Sequence, residues 1–156
     1  MQLITKYLPA DYTDSFQKTI SSESSIQVND LFKLMFIEYP KWGLWLLKVR
    51  DLIVKPLGLK TNKTFIDLII EENNEEIILG TEDKHLTFYI SIYCSKNYNK
   101  RQSVSLTTIV KYNNLLGKIY FYIIWIFHRI VVKYLFKRAI RRWYKRKRLR
   151  DAVYGT

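Results

Sequence analysis

The chain has little of the chemistry that would point to a reaction. Cys94 is its only cysteine, so neither a disulfide framework nor a cysteine metal site can form, and a reducing interior is the natural compartment. Five glycines supply no glycine-rich phosphate loop and no dinucleotide fingerprint. The two histidines, His85 and His128, stand too far apart for a His-x-x-x-His pair, so no metal and no other cofactor is expected. No Ser/His/Asp signature occurs. The N-terminal stretch up to Phe16 carries Asp11 and Asp14 and lacks the apolar centre of roughly 7–15 residues that a secretory signal needs, which predicts a cytoplasmic location. Nine apolar residues run unbroken from Ile119 to Phe127, against the roughly 20 of a membrane span. His128, Arg129 and Lys133 then interrupt, so a core helix is expected there.

What is present is apolar, aromatic and unevenly charged. A length of 156 residues suits one domain, and 48% hydrophobic residues are enough for a substantial core. Aromatic residues make up 15%, a composition that serves a cavity wall as well as a filled core. The net charge is +12, of which residues 133–156 hold +9, from ten Lys/Arg against Asp151. The remaining body is nearly neutral, so global basicity is no argument that the body binds nucleic acid.

In chain order, an opening strand is predicted within residues 15–28, interrupted by a turn at 21–25. Asn29 can cap a helix that carries Leu31, Leu34 and Met35 and stops at Pro40. A second helix follows, with Trp42, Trp45, Leu46, Val49, Leu52 and Ile53 on one face, ended by Pro56 and Gly58. Beyond Lys60 the periodicity changes. Runs at 64–70, 76–79, 85–94 and 103–112, separated by turn-rich segments, predict an antiparallel meander of about four strands. In the third run both alternating sets are partly apolar, so each sheet face is expected to be covered or to line a cavity. One long helix is predicted from Asn114 to Arg150.

Several stretches carry a family resemblance: Leu8-Pro9-Ala10-Asp11-Tyr12 with Asp14 and Phe16; Pro40-Lys41-Trp42 and Val49-Arg50-Asp51; Pro56-Leu57-Gly58-Leu59-Lys60; Glu82-Asp83-Lys84-His85-Leu86; Val110-Lys111-Tyr112-Asn113-Asn114; and Phe127-His128-Arg129. In order and spacing they resemble the DUF2867 family of mostly bacterial, uncharacterised proteins. The element order resembles the START/Bet v 1-like (SRPBCC) superfamily. The resemblance implies an α+β helix-grip fold: a curved antiparallel sheet packed on a long C-terminal helix, with two short helices between strand 1 and strand 2. It implies a pocket between sheet and helix, and no reaction. About five strands are found here, against the six or seven of larger superfamily members.

Two polar clusters are candidate chemistry. Asp83 beside His85 can orient an imidazole as a general base, and the plainer alternative is a turn carboxylate with a histidine capping a sheet end. His128-Arg129 can clamp a ligand carboxylate or phosphate at a pocket mouth, and the plainer alternative pairs Arg129 with an acid of the body. Trp45, Tyr89, Tyr112, Tyr122 and Trp125 are candidate lining residues for an apolar small-molecule ligand.

A continuous helix over 114–150 is roughly 55 Å long at about 1.5 Å per residue, and a domain of this size is roughly 35–40 Å across. The sequence therefore places a helix-grip body at 1–136 and a basic extension at 137–156. Lys137, Arg138, Arg141, Arg142, Lys145, Arg146, Lys147 and Arg148, interleaved with Ile140, Trp143 and Tyr144, suit a peripheral contact with an anionic membrane surface, and less well the phosphates of a nucleic acid. Three functions are expected in order: a non-enzymatic binder of an apolar or amphipathic molecule; a cyclase/dehydratase-like enzyme using His85 or His128; and an anionic-surface binder acting through the basic arm.

Overall fold

The structure is a computed structural model, and it describes residues 2–38, 40, 42 and 64–154. Its frame is a five-stranded antiparallel sheet of β1 (Tyr12–Ser21), β2 (Ile69–Glu72), β3 (Glu76–Glu82), β4 (Leu86–Cys94) and β5 (Arg101–Tyr112). The spatial order is β1-β5-β4-β3-β2, so the opening strand lies beside the last one. α1 (Val28–Phe32) runs directly into a π-helical turn at Lys33–Ile37. α2 (Leu115–Tyr154) is a single helix of 40 residues. An α+β chain with an antiparallel meander and a long final helix is what the periodicity predicts. The second predicted helix, over 42–55, lies almost wholly outside the described residues.

The run at 64–70 differs from the strand expected there. Asp67 accepts hydrogen bonds from the Thr64 amide at 2.8 Å and the Thr64 hydroxyl at 2.7 Å. This cap starts a 3-10 turn at Ile66–Leu68 and delays β2 to Ile69. β1 begins earlier than predicted, at Tyr12.

The helical face of the sheet is covered, and the opposite face is covered in part, with Thr13, Ser15, Gln17 and Thr19 of β1 exposed. Leu86, Phe88, Ile90, Ile92 and Cys94 of β4 point to the helices, and Tyr89 points to the opposite face. On that opposite face a 3-10 turn at Leu3–Tyr7 packs Ile4 against Ile78, Tyr89 and Ile109. It is held by the buried carboxylate of Glu76, which accepts hydrogen bonds from the amides of Leu3 and Ile4 and from the Ser91 hydroxyl. Three donors meet the requirement that a buried carboxylate be bonded. On the helical face, burial raises the Cys94 thiol to about 12, which keeps it protonated and unreactive.

The packing of α2 runs opposite to expectation. Its basic half, not its most apolar half, enters the main core. Val132, Phe136, Ala139, Ile140 and Trp143 are buried there with Leu31, Leu34, Met35, Ile77, Leu79 and Leu106. The nine-residue apolar run buries only Tyr120 and Phe121, in a smaller cluster with Leu86 and Val110, and packs Ile124 and Trp125 partly buried against it. Packing therefore continues past residue 136, through Trp143 and on to Tyr144, whose hydroxyl accepts the Ser21 amide at 3.2 Å. From Lys145 onward α2 is mostly exposed.

Glu38 explains how a basic helix docks on this core. The π turn ends with the Glu38 amide donating to the Lys33 carbonyl at 2.8 Å. The Glu38 carbonyl then accepts from Arg138 at 2.8 Å and Arg142 at 2.9 Å. Its carboxylate accepts from Arg146 at 2.6 and 3.1 Å and pairs with Arg142 at 3.0 Å. Arg138, Arg142 and Arg146 recur every fourth residue and so share one face of α2, meeting the negative end of the preceding helix. The hydrogen bonds from Arg146 hold the Glu38 carboxyl below the usual carboxylate range, with the charges of Arg146, Arg142 and Arg138 adding to that and burial opposing it.

Glu38→Gln is expected to cost about 1 kcal/mol at neutral pH, because these pairs are partly exposed and the backbone bonds survive. A carboxyl with a depressed folded value gives stability that is present above its unfolded value, roughly 4.3, and is lost as pH falls through the folded value. Urea melts of both proteins should therefore converge as pH falls from about 5 to about 3. A gap that stays constant through that range would remove the carboxylate charge from the docking.

Candidate ligand groove

The groove lies where the first turns of α2 cross the β1–β5 pair. Asn114 sets the start of the helix: its side-chain oxygen accepts the Gly117 amide at 3.0 Å, an N-cap bond to the third helical residue. Its amide group donates to the Lys84 carbonyl at 3.0 Å and lies 2.9 Å from His85 Nδ1. Asn113 donates from its backbone to the His85 carbonyl at 3.0 Å and from its side chain to Thr87 Oγ1 at 3.1 Å and the Asp83 carbonyl. The turn between β3 and β4 is thus tied to the helix start. Asp83 and His85 belong to this joint, and the Asp83 carboxylate meets the His85 amide at 3.4 Å, not its ring.

From that start the helix places Phe121, Tyr122 and Trp125 over Tyr12 of β1 and Tyr112 of β5. The Trp125 indole donates to the Tyr12 hydroxyl at 2.7 Å, and the two rings meet edge-on with centroids 6.4 Å apart. Phe121 lies 4.8 Å from the Tyr12 ring and 5.5 Å from the Tyr112 ring. With Asp11 and Lys118 these residues line an open groove of about 360 Å³. The Asp11 carboxylate accepts the Tyr112 amide at 2.7 Å. Burial raises both the Tyr12 and Tyr112 hydroxyls, keeping them neutral hydrogen-bonding groups. Lys118 is exposed and has no ion pair among the described residues.

Of the residues singled out from sequence, Tyr112, Tyr122 and Trp125 meet here. Tyr89 does not: it lies on the opposite sheet face, stacked 4.2 Å from Tyr7, its hydroxyl donating to Glu82, and burial pushes it up to about 12. Trp45 lies outside the described residues. His128 follows one turn beyond Trp125; burial holds its ring below the ordinary value, and the Asp14 charge opposes that. Arg129 pairs with Asp14 at 3.5 Å. His85 and His128 are not brought together: the His85 backbone lies against Gly117, and His128 is roughly 16 Å farther along α2 at about 1.5 Å per residue. Among the basic residues, Arg138, Arg142 and Arg146 serve Glu38, and Lys147 pairs with Asp151 at 3.8 Å. Lys137, Arg141, Lys145 and Arg148 remain exposed on α2. Tyr12, Phe121 and Lys118 were missed. Alternation in β1 and helical spacing from Trp125 identify the first two only once the register is known. Among the described residues no group of three His, Cys, Asp or Glu side chains is placed to hold a metal.

The site and frame define an α+β protein with an aromatic groove between its sheet and its last helix. Residues 7–135 match the model of the family described as DUF2867, protein of unknown function, and the chain belongs to that family. No curated protein and no solved structure matches it.

Proposed function

We propose that this chain is a non-enzymatic helix-grip module of the START/Bet v 1-like kind, which holds an apolar or amphipathic small molecule in the aromatic groove. The observation that carries this reading is the composition of the groove: five aromatic rings and a lysine with no ion pair among the described residues, around about 360 Å³, within the usual range of small-molecule sites. β1 beside the last strand, with the final helix laid across the sheet, supports the helix-grip affiliation. The main core fills the space farther along α2, so the proposed site is confined to the helix's first turns. Aromatic faces suit an apolar body, and the Lys118 ammonium suits an anionic end. The enzymatic alternative has less support, because His85 is engaged at the helix cap and His128 stands away from it.

Native mass spectrometry of freshly purified protein is expected to show adducts of lipid-like mass. Titration with a fluorescent long-chain fatty acid should give binding that weakens about tenfold in Lys118→Glu and in Tyr122→Glu, both exposed positions, with melting unchanged. A clean apo spectrum together with equal weak binding by all three proteins would sink the proposal.

A further inference from the structure

The outward side of α2 is unusual for a helix that packs on a sheet. Leu116, Ile119, Ile123, Ile126, Phe127 and Ile130 are each 49–69% exposed. At about 100° per residue all six fall in one sector, opposite the buried Phe121 and Val132. Six large side chains open to this degree form a patch at the upper end of what soluble monomers show. Following the same sector along the helix, Lys133, Lys137, Arg141, Lys145 and Arg148 succeed the apolar residues, and all five are exposed. Each half is roughly 21 Å long at about 1.5 Å per residue.

By length and composition α2 is apolar enough to cross a membrane, and only 22% of its most apolar 18-residue window is buried. It does not have the surroundings of a spanning helix. Trp125 is bonded to Tyr12, Arg129 to Asp14, and Tyr120 and Phe121 are packed on the sheet, so one side of the helix is already occupied. A helix with an apolar side that the described residues leave open as far as Ile130, Trp42 meeting it only at Tyr134, and with cations beside it, lies in the interface plane. A second copy of the chain would cover the apolar half but gives no role to the five aligned cations, none of which has an ion pair among the described residues. An anionic bilayer accounts for both halves.

We infer that the outward face of α2 is a docking surface for an anionic lipid bilayer, with the strip from Leu116 to Ile130 seated at the acyl boundary and the cations from Lys133 to Arg148 on headgroup phosphates. Apolar burial supplies the anchoring, and the basic row supplies attraction and selects negatively charged lipid. The chain's net charge of +12 adds longer-range attraction to the same surface. This face is separate from the aromatic groove, although Tyr122 borders both.

Full-length protein is sedimented with vesicles of phosphatidylcholine alone and with vesicles containing about one-third phosphatidylserine. The wild type should partition to the anionic vesicles, and less so as salt rises. The variant Ile123→Gln/Phe127→Gln/Ile130→Gln should bind at least tenfold more weakly and melt as the wild type does. Lys137→Gln/Arg141→Gln/Lys145→Gln should lose about tenfold or more on anionic vesicles. Absence of wild-type binding overturns the inference, as does an apolar-strip variant that binds normally. Unfolding of that variant would assign the strip to coverage by the chain itself. A wild-type dimer that becomes monomeric in that variant, with no vesicle binding, would assign it to a second copy. Binding of duplex DNA, but not vesicles, through the cations alone would also refute it.

Discussion

Gly117→Ala is expected to destabilise the protein by about 2 kcal/mol or more, although alanine is the better helix former by about 1 kcal/mol. Gly117 sits in the first turn of α2, where the helix passes directly over the backbone of His85. A Cβ there would overlap the His85 carbonyl oxygen and lie 2.6 Å from its carbon. The obstacle is backbone, and it cannot swing aside as a side chain can. The Asn113 amide donates to that same carbonyl at 3.0 Å, and the Asn114 side chain bonds the neighbouring Lys84 carbonyl at 3.0 Å. Relief requires either breaking this joint or lifting the helix start off Leu86 and Val110. Overpacking of this kind costs typically about 1–3 kcal/mol, and a rigid obstacle puts it at the upper end. For a domain of this size that is a fall in Tm of several degrees, at about 2–4 °C per kcal/mol. Thermal and urea melts of Gly117→Ala beside Lys118→Ala make the comparison, since the neighbour tests helix propensity without the close approach. A more stable Gly117→Ala would show that the helix start does not lie against His85. Loosening this end should also weaken the aromatic groove, because Phe121 and Tyr122 are one turn away.

Removing residues 137–156 is expected to abolish cooperative folding rather than trim a tail. That deletion takes Ala139, Ile140 and Trp143 out of the main core and Arg138, Arg142 and Arg146 away from Glu38. Trp143→Ala alone should cost about 3–5 kcal/mol, the usual loss for a buried tryptophan. Against a typical domain stability of about 5–15 kcal/mol, that leaves little margin. Ending the chain after Arg148 instead should cost no more than about 0.5 kcal/mol, since Leu149 and Val153 are mostly exposed. Circular dichroism melts of the two truncations and of Trp143→Ala decide the matter. A cooperative, near-wild-type melt for the chain ending at residue 136 would show that the basic half is not needed for the core.

Much of the frame was legible from residue order. The meander was read from β-branched and aromatic runs separated by polar turns, and β3, β4 and β5 lie where those runs are. The start of α2 was placed at Asn114, which does cap the helix, whereas the cap expected at Asn29 falls inside α1, whose N-cap position is Gln27. The family was legible too, from stretches such as Pro40-Lys41-Trp42 and Phe127-His128-Arg129. Three things were not legible. The 3-10 turn before β2 depends on a Thr64–Asp67 cap within a run that otherwise looks like a strand. The role of Glu38 depends on a π turn, which no periodicity of 3.6 reveals. The separation of Tyr89 from Tyr112 depends on strand alternation and on which face α2 takes.

Local composition determined that this chain has a five-stranded antiparallel sheet and one long, half-apolar, half-basic helix. The chain also holds a single cysteine and no glycine-rich phosphate-loop pattern. Only the tertiary structure decided which part of that helix is inside. Hydrophobicity along the helix favours burying Ile119 to Phe127, but burial follows the partner surface, not the local average. The deepest surface lies where α1 packs on β3 and β4. Phe136, Ala139, Ile140 and Trp143 reach it because the arginines among them are met by Glu38 or turned to water. The apolar run, anchored at Gly117 and crossing only the ends of β1, β4 and β5, has an outer side that the described residues leave largely open.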